Sequence, residues 1–291
     1  MLSHVPVLVG PVLEYLAIRP GGIYVDATFG AGGHTQAILE RLGEGRLIAL
    51  DADPQAVARA QLLADRRLTF VRANFRDLNG VLDRCEVGLV DGVLFDLGVS
   101  SMQLDDADRG FSIAKPAALD MRMDPHRGRS AYEILSTASE RELADIFFHY
   151  GEERAARRIA RAIVARRTSG GLPNTTSDFA ALVAAVVQRP GRRERVHPAT
   201  RVFQGLRIAV NDELEALRDG LQEAIGRLRA GGRLVAISFH SLEDRIVKRV
   251  LRDDDRVAVL TKKPIRPQQG ESAENRRSRS AKLRAADRKA S

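Results

Sequence analysis

"VDATFGAGGHTQAI", residues 25–38, runs from an apolar stretch into a cluster of glycines and then into residues at helical spacing. A strand buried on both faces of a parallel sheet reads as a continuous apolar run, and "GGIYVDATFG" (21–30) supplies one that ends at Asp26, Thr28 and Gly30. Gly30, Gly32 and Gly33 carry no Cβ, so the chain there can take positive φ and let a ligand approach the backbone, before "HTQAILERL" resumes as a helix. The stretch reads as a nucleotide site made of a strand, a glycine turn and a helix. A tight turn that uses glycine for geometry alone would look the same, so the next elements have to decide.

"GRLIALDAD" (45–53) is a second apolar strand, ending at Asp51. That is close to the ~20-residue offset at which an acidic residue meets ribose hydroxyls. Asp53 stands before Pro54 and the helical "PQAVARAQLLA", and reads as an N-cap with proline at the first helical position. A third strand, "RLTFVRANF" (67–75), brings Asn74 and Phe75 to the same edge, and a fourth, "GVLFDLGVSS" (92–101), brings Asp96. Ligands of open α/β sheets sit beyond the strand C-termini, so these groups should face one cavity. A nucleoside suits it. Phe75 can cover a purine face, Asp51 can accept from two ribose hydroxyls, and Asp96 can pair with a cationic amine, although Phe75 also reads as ordinary core packing. A pyrophosphate prefers the full G-x-G-x-x-G pattern, which is broken here because the third glycine is Gly33. Asp26, Asp51 and Asp96 make the cavity acidic, repel phosphate and favour ammonium and sulfonium charges, so S-adenosylmethionine fits better than NAD.

The chain has 291 residues, 44% of them hydrophobic, enough for one large or two modest domains with a real core. It holds neither an apolar run near the ~18 residues a membrane helix needs nor a signal segment at its start, and is expected to be soluble, with no membrane partner. The single Cys85 excludes an internal disulfide and a cysteine-rich zinc site, suits a reducing cytoplasm, and no metal is expected.

A net charge of +8 and a pI near 10.1 are concentrated in three clusters. In "RAARRIARAIVARR" (154–167), Ile159, Ile163 and Val164 line one helix face while Arg154, Arg157, Arg158 and Arg161 lie away from it. The others are "RPGRRERVHPATR" (189–201) and "RRSRSAKLRAADRK" (276–289). Each alone reads as a solvated face; three together favour a polyanion. The strand rhythm pauses after "DLGVSS" and returns at "GRLVAISFHSLED" (232–244). Between them "SAYEILSTASERELADIFFHYG" and "SDFAALVAAVVQ" read as amphipathic helices, with Ser139 and Glu142 in a capping-box pattern. The expected layout is a discontinuous core of 1–104 and 205–265 and an inserted helical domain at 105–204. "TRVFQGLRIAVNDELEALRDGLQEAIGRL" is expected to be a helix returning to the sheet, and 266–291 a basic, mobile tail.

"DLGVSSMQLDDADRGFS" (96–112), "LDMRMDP" (119–125), "YGEERAARRIARAIV" (150–164), "HPATRVFQGLRIAVN" (197–211) and "SFHSLEDRIVKR" (238–249) together resemble the bacterial MraW family, the small-subunit ribosomal RNA methyltransferases that modify the N4 amino group of a cytidine in 16S rRNA. The resemblance spans nearly the whole chain. It implies a Rossmann-like S-adenosylmethionine-dependent methyltransferase sheet interrupted by a helical substrate-recognition domain, with 16S rRNA, within the small ribosomal subunit, as partner. It also implies that the cofactor is held by Gly32, Gly33, His34, Asp51, Phe75, Asp96 and Gln103, while the outward position of Arg154, Arg157, Arg158 and Arg161 on their helix makes them the expected contacts to RNA phosphates. The cytosine amino group is a poor nucleophile because its lone pair is delocalised into the ring, so Asp96 or His240 is expected to accept its hydrogen bond. His240 reads equally as the cap of the helix "SLEDRIVKR". The aromatic that many amino-methyltransferases carry after the fourth strand is missing from Asp96-Leu97-Gly98-Val99, leaving Phe239 or Phe111 to stack on the base. The rival readings are an NAD-dependent oxidoreductase and an RNA-binding assembly factor without turnover.

Overall fold

The computed structural model describes residues 6–113, 115–187 and 196–290. In chain order its elements are α1 (Val9–Leu16), β1 (Ile23–Asp26), α2 (Gly33–Leu42), β2 (Arg46–Asp51), α3 (Gln55–Leu63), β3 (Leu68–Arg72), α4 (Leu78–Arg84) and β4 (Val90–Asp96). There follow α5 (Ser101–Asp105), α6 (Ala131–Thr137), α7 (Glu140–Asp145), α8 (Ala156–Thr168), α9 (Thr176–Val187), α10 (Thr200–Asn211) and α11 (Glu213–Arg227). The chain then returns to the sheet with β5 (Leu228–Ser238), α12 (Ser241–Asp253), β6 (Val257–Val259), α13 (Gln269–Glu274) and β7 (Lys282–Arg288).

One sheet takes the order β3-β2-β1-β4-β5-β7-β6. Strands β1 to β5 pair in parallel, and β7 is antiparallel to both β5 and β6. The sheet therefore follows the doubly wound order 3-2-1-4-5 and departs from the dinucleotide-binding version by one antiparallel strand wedged before β6. Parallel strands covered on both faces are largely apolar, as β4 is between Gly92 and Phe95, and only Asp96 at its end is not buried. Leu47, Leu94, Val235, Ile237, Leu283 and Ala285 share a buried cluster with Val12 and Leu16 of α1 and Ile38 and Leu42 of α2.

The chain divides into two compact units, Met1–Ser100 with Leu214–Ser291, and Ser101–Glu213. The second unit is helical and extends past 204 because α10 is part of it: Phe203 stacks at 5.4 Å on Phe179 of α9, and Asn211 accepts the Met123 amide at 2.7 Å. The expected single helix from 200 to 228 is broken at Asp212, whose φ of +50° ends α10. The helical stretch at 130–151 is likewise two helices with separate capping boxes. Ser130 pairs with Glu133 on α6, and Ser139 with Glu142 on α7. α7 runs on into a π turn at Ile146–Tyr150.

The expected mobile tail is corrected. Residues 282–288 form β7 inside the sheet, with Leu283, Ala285 and Ala286 fully buried. Small alanines lower the apolar count of the stretch, and register with β5 from Arg233↔Asp287 to Ser238↔Lys282 fixes the strand in the sheet. Its charges are used as well. Arg284 donates to Asp244 at 2.7 Å and Lys282 does so at 3.2 Å. Burial would raise the Asp244 pKa, but these two cations outweigh it and hold the carboxyl below its ordinary value.

Candidate active site

The turn after β1 is built around Asp26, which is fully buried. Its two oxygens accept from Thr35 Oγ1 at 2.7 Å and from the Thr28 amide at 3.1 Å, which ties the turn to the first turn of α2. Burial pushes the Asp26 pKa up, and with no exposed surface its carboxylate is closed to a ligand. Gly32 has φ +82°, and a Cβ on it would lie 2.9 Å from the Phe29 ring; a Cβ on Gly33 would meet Pro6 at 2.9 Å. The glycines are thus demanded by backbone conformation and close packing as the chain enters the helix.

His34 points inward. Its Nε2 lies 2.9 Å from the Val7 carbonyl and its Nδ1 3.4 Å from Asp96 Oδ2. Burial disfavours the charged ring, but Asp96, with help from Asp26, raises the His34 pKa. Both ring nitrogens face oxygen acceptors, the arrangement of an imidazolium with two donors. Asp96 is fixed on its other side, its amide donating to Thr28 Oγ1 at 2.6 Å. Its second carboxylate oxygen, Oδ1, is buried and has no hydrogen-bond partner among the described residues. A buried carboxylate oxygen left unpaired is costly, so this atom is poised for a donor.

Asp51 ends β2 half-buried. Its Oδ2 accepts the Gly30 amide at 2.7 Å and its Oδ1 the Asp53 amide at 2.9 Å. Burial nevertheless pushes the carboxyl up to about 6 against the pull of those amides. Each oxygen keeps a lone pair for a hydroxyl donor. Asp53 accepts from the Gln55 amide at 2.9 Å and so performs its expected capping at the start of α3. Phe75 is half-buried beyond β3, edge-on to Phe95 with centroids 5.6 Å apart, and backed by Gly220 of α11, where a Cβ would come within 2.8 Å of the ring.

Gly32, Gly33, His34, Asp51, Phe75 and Asp96 therefore share the C-terminal edge of the sheet in the first unit. Gln103 is buried in α5 of the second unit, which also holds the four arginines. On α8, Ile159 and Ile163 are fully buried, while Arg157, Arg158 and Arg161 are exposed. Arg154, also exposed, precedes the helix, and Arg161 lies 3.6 Å from Glu140. Arg167 of the same run donates to the carbonyls of Leu135, Ser136 and Ala138, closing the end of α6. The basic residues of the second cluster before position 196 lie outside the described residues, and Arg201 beyond them is exposed.

His240 is the N-cap of α12. Its Nδ1 accepts the Glu243 amide at 3.4 Å, while Glu243 accepts the His240 amide at 3.2 Å. In the neutral ring this puts the proton on Nε2, which sits 3.1 Å from Glu243 Oε1 without hydrogen-bond alignment. The ring carries a donor and no free acceptor, so it is not arranged to accept an amino hydrogen bond. The two stacking candidates fare no better: Phe111 is 7% exposed under the Arg109 guanidinium, and Phe239 packs on the sheet's apolar cluster.

Arg59 has no counterpart in the sequence reading, where Thr28 figures only as a strand end. Arg59 on α3 donates from Nε to the Gly30 carbonyl at 2.9 Å and bears a buried Nη2 with no partner among the described residues. A basic residue one turn into the helix after Asp51 was the available signal, since that turn faces the glycine loop.

Residues 1–289 match the MraW methylase family. Ribosomal RNA small subunit methyltransferase H of Thermomicrobium roseum is 51% identical, with 98% of this chain and 94% of that protein aligned. The protein of the same name from Azoarcus sp. is 51% identical over 99% and 97%. Among solved structures, an rRNA methylase from Streptococcus thermophilus aligns over 99% of this chain and 100% of its own, with TM-score 0.48 and 11% identity.

Proposed function

This chain belongs to the MraW methylase family, and from that premise we propose that it methylates the N4 amino group of a cytidine in 16S rRNA, using S-adenosylmethionine, in the cytoplasm and within the small ribosomal subunit. The observation that carries the reading is the pair of unequal carboxylates at one sheet edge, Asp51 with lone pairs to spare and Asp96 with a buried, unpaired oxygen. This donor-poor, acceptor-rich edge fits a nucleoside with a cationic amine and disfavours a pyrophosphate. Asp51 would hold the ribose, Phe75 the purine face, and the turn at Gly32 and Gly33 the body of the cofactor. S-adenosylmethionine bound there supplies an electrophilic methyl.

The protein's own part is positioning. Asp96 is held by His34 on one oxygen and by Thr28 through its amide, so its free Oδ1 can accept either the methionine amine or the cytosine amino group at a fixed place. Accepting from the amino group raises the electron density on its nitrogen and offsets the positive charge that develops there as the methyl arrives, and holding the nitrogen in line with the methyl lowers the barrier further. His240, as a cap, acts by setting the start of α12 rather than by touching the base. Gln103 is a further cofactor contact, and Arg154, Arg157, Arg158 and Arg161 hold the RNA through its phosphates.

The test is to incubate the protein with labelled S-adenosylmethionine and unmethylated small subunits and identify the modified nucleoside. N4-methylated cytidine is the expected product. Label in another nucleoside would overturn the target, and binding without incorporation would favour an assembly factor. Titration with NAD should give no binding.

A further inference from the structure

The segment after β6, at the sheet's ligand edge, carries charges that the site above does not use. β6 is antiparallel to β7, which is antiparallel to β5, so β6 runs in the same direction as the parallel strands and the chain leaves it at the ligand edge. The segment that follows is pinned along β7 at two points. Thr261 Oγ1 accepts the Ala285 amide at 2.9 Å, and Ile265 exchanges both backbone hydrogen bonds with Leu283, at 3.0 and 2.9 Å. Between and just beyond these anchors stand Lys262, Lys263 and Arg266, all exposed. None of the three has a carboxylate partner among the described residues, unlike Lys282 and Arg284 beside them.

The level of this arc is fixed by the sheet. Asp96 is in register with Ile237, Ile237 with Leu283, and Leu283 bridges to Ile265. Ile265 therefore lies in the same row as Asp96, three strand spacings away, or about 14 Å. From there the chain continues to α13, where Glu271 accepts the Leu8 amide at 2.7 Å, next to the Val7 carbonyl that holds His34. The segment thus borders the acidic crevice with a fixed basic rim. Its charges suit the backbone of a nucleic acid whose base enters the crevice, for the carboxylates that welcome an amine would repel the flanking phosphates.

We propose that Lys262, Lys263 and Arg266 are a phosphate-binding rim on the methyltransferase unit itself, holding the RNA strand on either side of the target base at the level of Asp96. The proposal rests on rRNA being the substrate. It is distinct from the arginines of α8, which belong to the other unit.

The test compares the full-length protein with two double variants in binding to small-subunit rRNA across a salt series. One is Lys262→Gln with Lys263→Gln. The other, Arg41→Gln with Arg66→Gln, removes two exposed charges from the opposite edge, at the end of α2 and just before β3. The lysine variant should have a log–log salt slope shallower by about 1.4–1.8, two phosphate contacts' worth, and the control none. The lysine variant should also show a raised KM for RNA, with S-adenosylmethionine affinity and the single-turnover rate at saturating RNA within twofold of wild type. An unchanged slope in the lysine variant, or an equal change in the control, overturns the rim. Failure of the wild-type protein to bind small-subunit rRNA at all would instead remove the rRNA reading, and the rim with it.

Discussion

The two arginine-rich stretches at 154–167 and 276–289 look alike as sequence and behave oppositely in the fold. On α8, a regular apolar stripe at Ile159 and Ile163 is buried and the arginines at 157, 158 and 161 are turned outward. In the C-terminal stretch, the arginine at 284 is 7% exposed and neutralised by Asp244, and the strand that carries it lies between two others. The same division runs through the acids: Asp26 is fully buried against Thr35 and Thr28, whereas Asp51 is only half-buried and Asp96 keeps an unpaired oxygen. Charge count therefore says little about binding; what matters is whether a charge already has a partner that folding supplied.

The largest effect that could break this comparison is at Asp51. Replacing it with Ala should remove two charge-assisted hydrogen bonds to a ribose, about 3–6 kcal/mol together, or ~10²–10⁴ in cofactor affinity by calorimetry. Unchanged affinity would mean that Asp51 serves only the two backbone amides. Its pH dependence sharpens the point. With the folded-state pKa raised to about 6, above the ordinary 3.8, Asp51 is protonated in the fold between these values while the unfolded chain is ionised. Native protein then binds the extra proton, so this group favours the ligand-free fold as pH falls from about 6 towards 4 and disfavours it as pH rises. Cofactor affinity should move the other way, weakening below about pH 6, and a pH-independent affinity in Asp51→Ala would assign the effect to this carboxyl.

Next in size is Arg284→Ala, which should destabilise the protein by about 1–3 kcal/mol in denaturant titrations because it leaves the partly buried Asp244 with Lys282 alone and one oxygen without its donor. A mobile tail would show no loss. Smallest in stability is the double variant Arg157→Gln with Arg158→Gln, expected to stay within about 0.5 kcal/mol of wild type. Its effect should appear only in RNA binding, as a salt slope shallower by about 1–2. A wild-type slope would mean that this face is merely solvated.

These differences also mark what was legible in the sequence. The ends of β1, β2 and β4 could be read because continuous apolar runs stop at Asp26, Asp51 and Asp96. β7 could not, since Ala285 and Ala286 are buried in the sheet without the apolar signature of a strand. The break at Asp212 is hidden because a polar residue in left-handed conformation does not interrupt the helical period on either side. At the site, the spacing from the glycine turn to Asp51 was readable from local chemistry. The tautomer of His240 was not, being set by the amide of Glu243, and neither was the orphaned oxygen of Asp96, which depends on His34 reaching across from α2.

In the proposed mechanism Asp96 acts at the reaction centre while the basic surfaces carry RNA affinity. Asp96→Asn tests it most directly, since it preserves volume and an acceptor oxygen while removing the charge. Single-turnover methylation at saturating S-adenosylmethionine, paired with an RNA-binding measurement on the same variant, should show a rate lower by about 100-fold with RNA affinity unchanged. A wild-type rate, or a loss of RNA binding in proportion to the loss of rate, would contradict it.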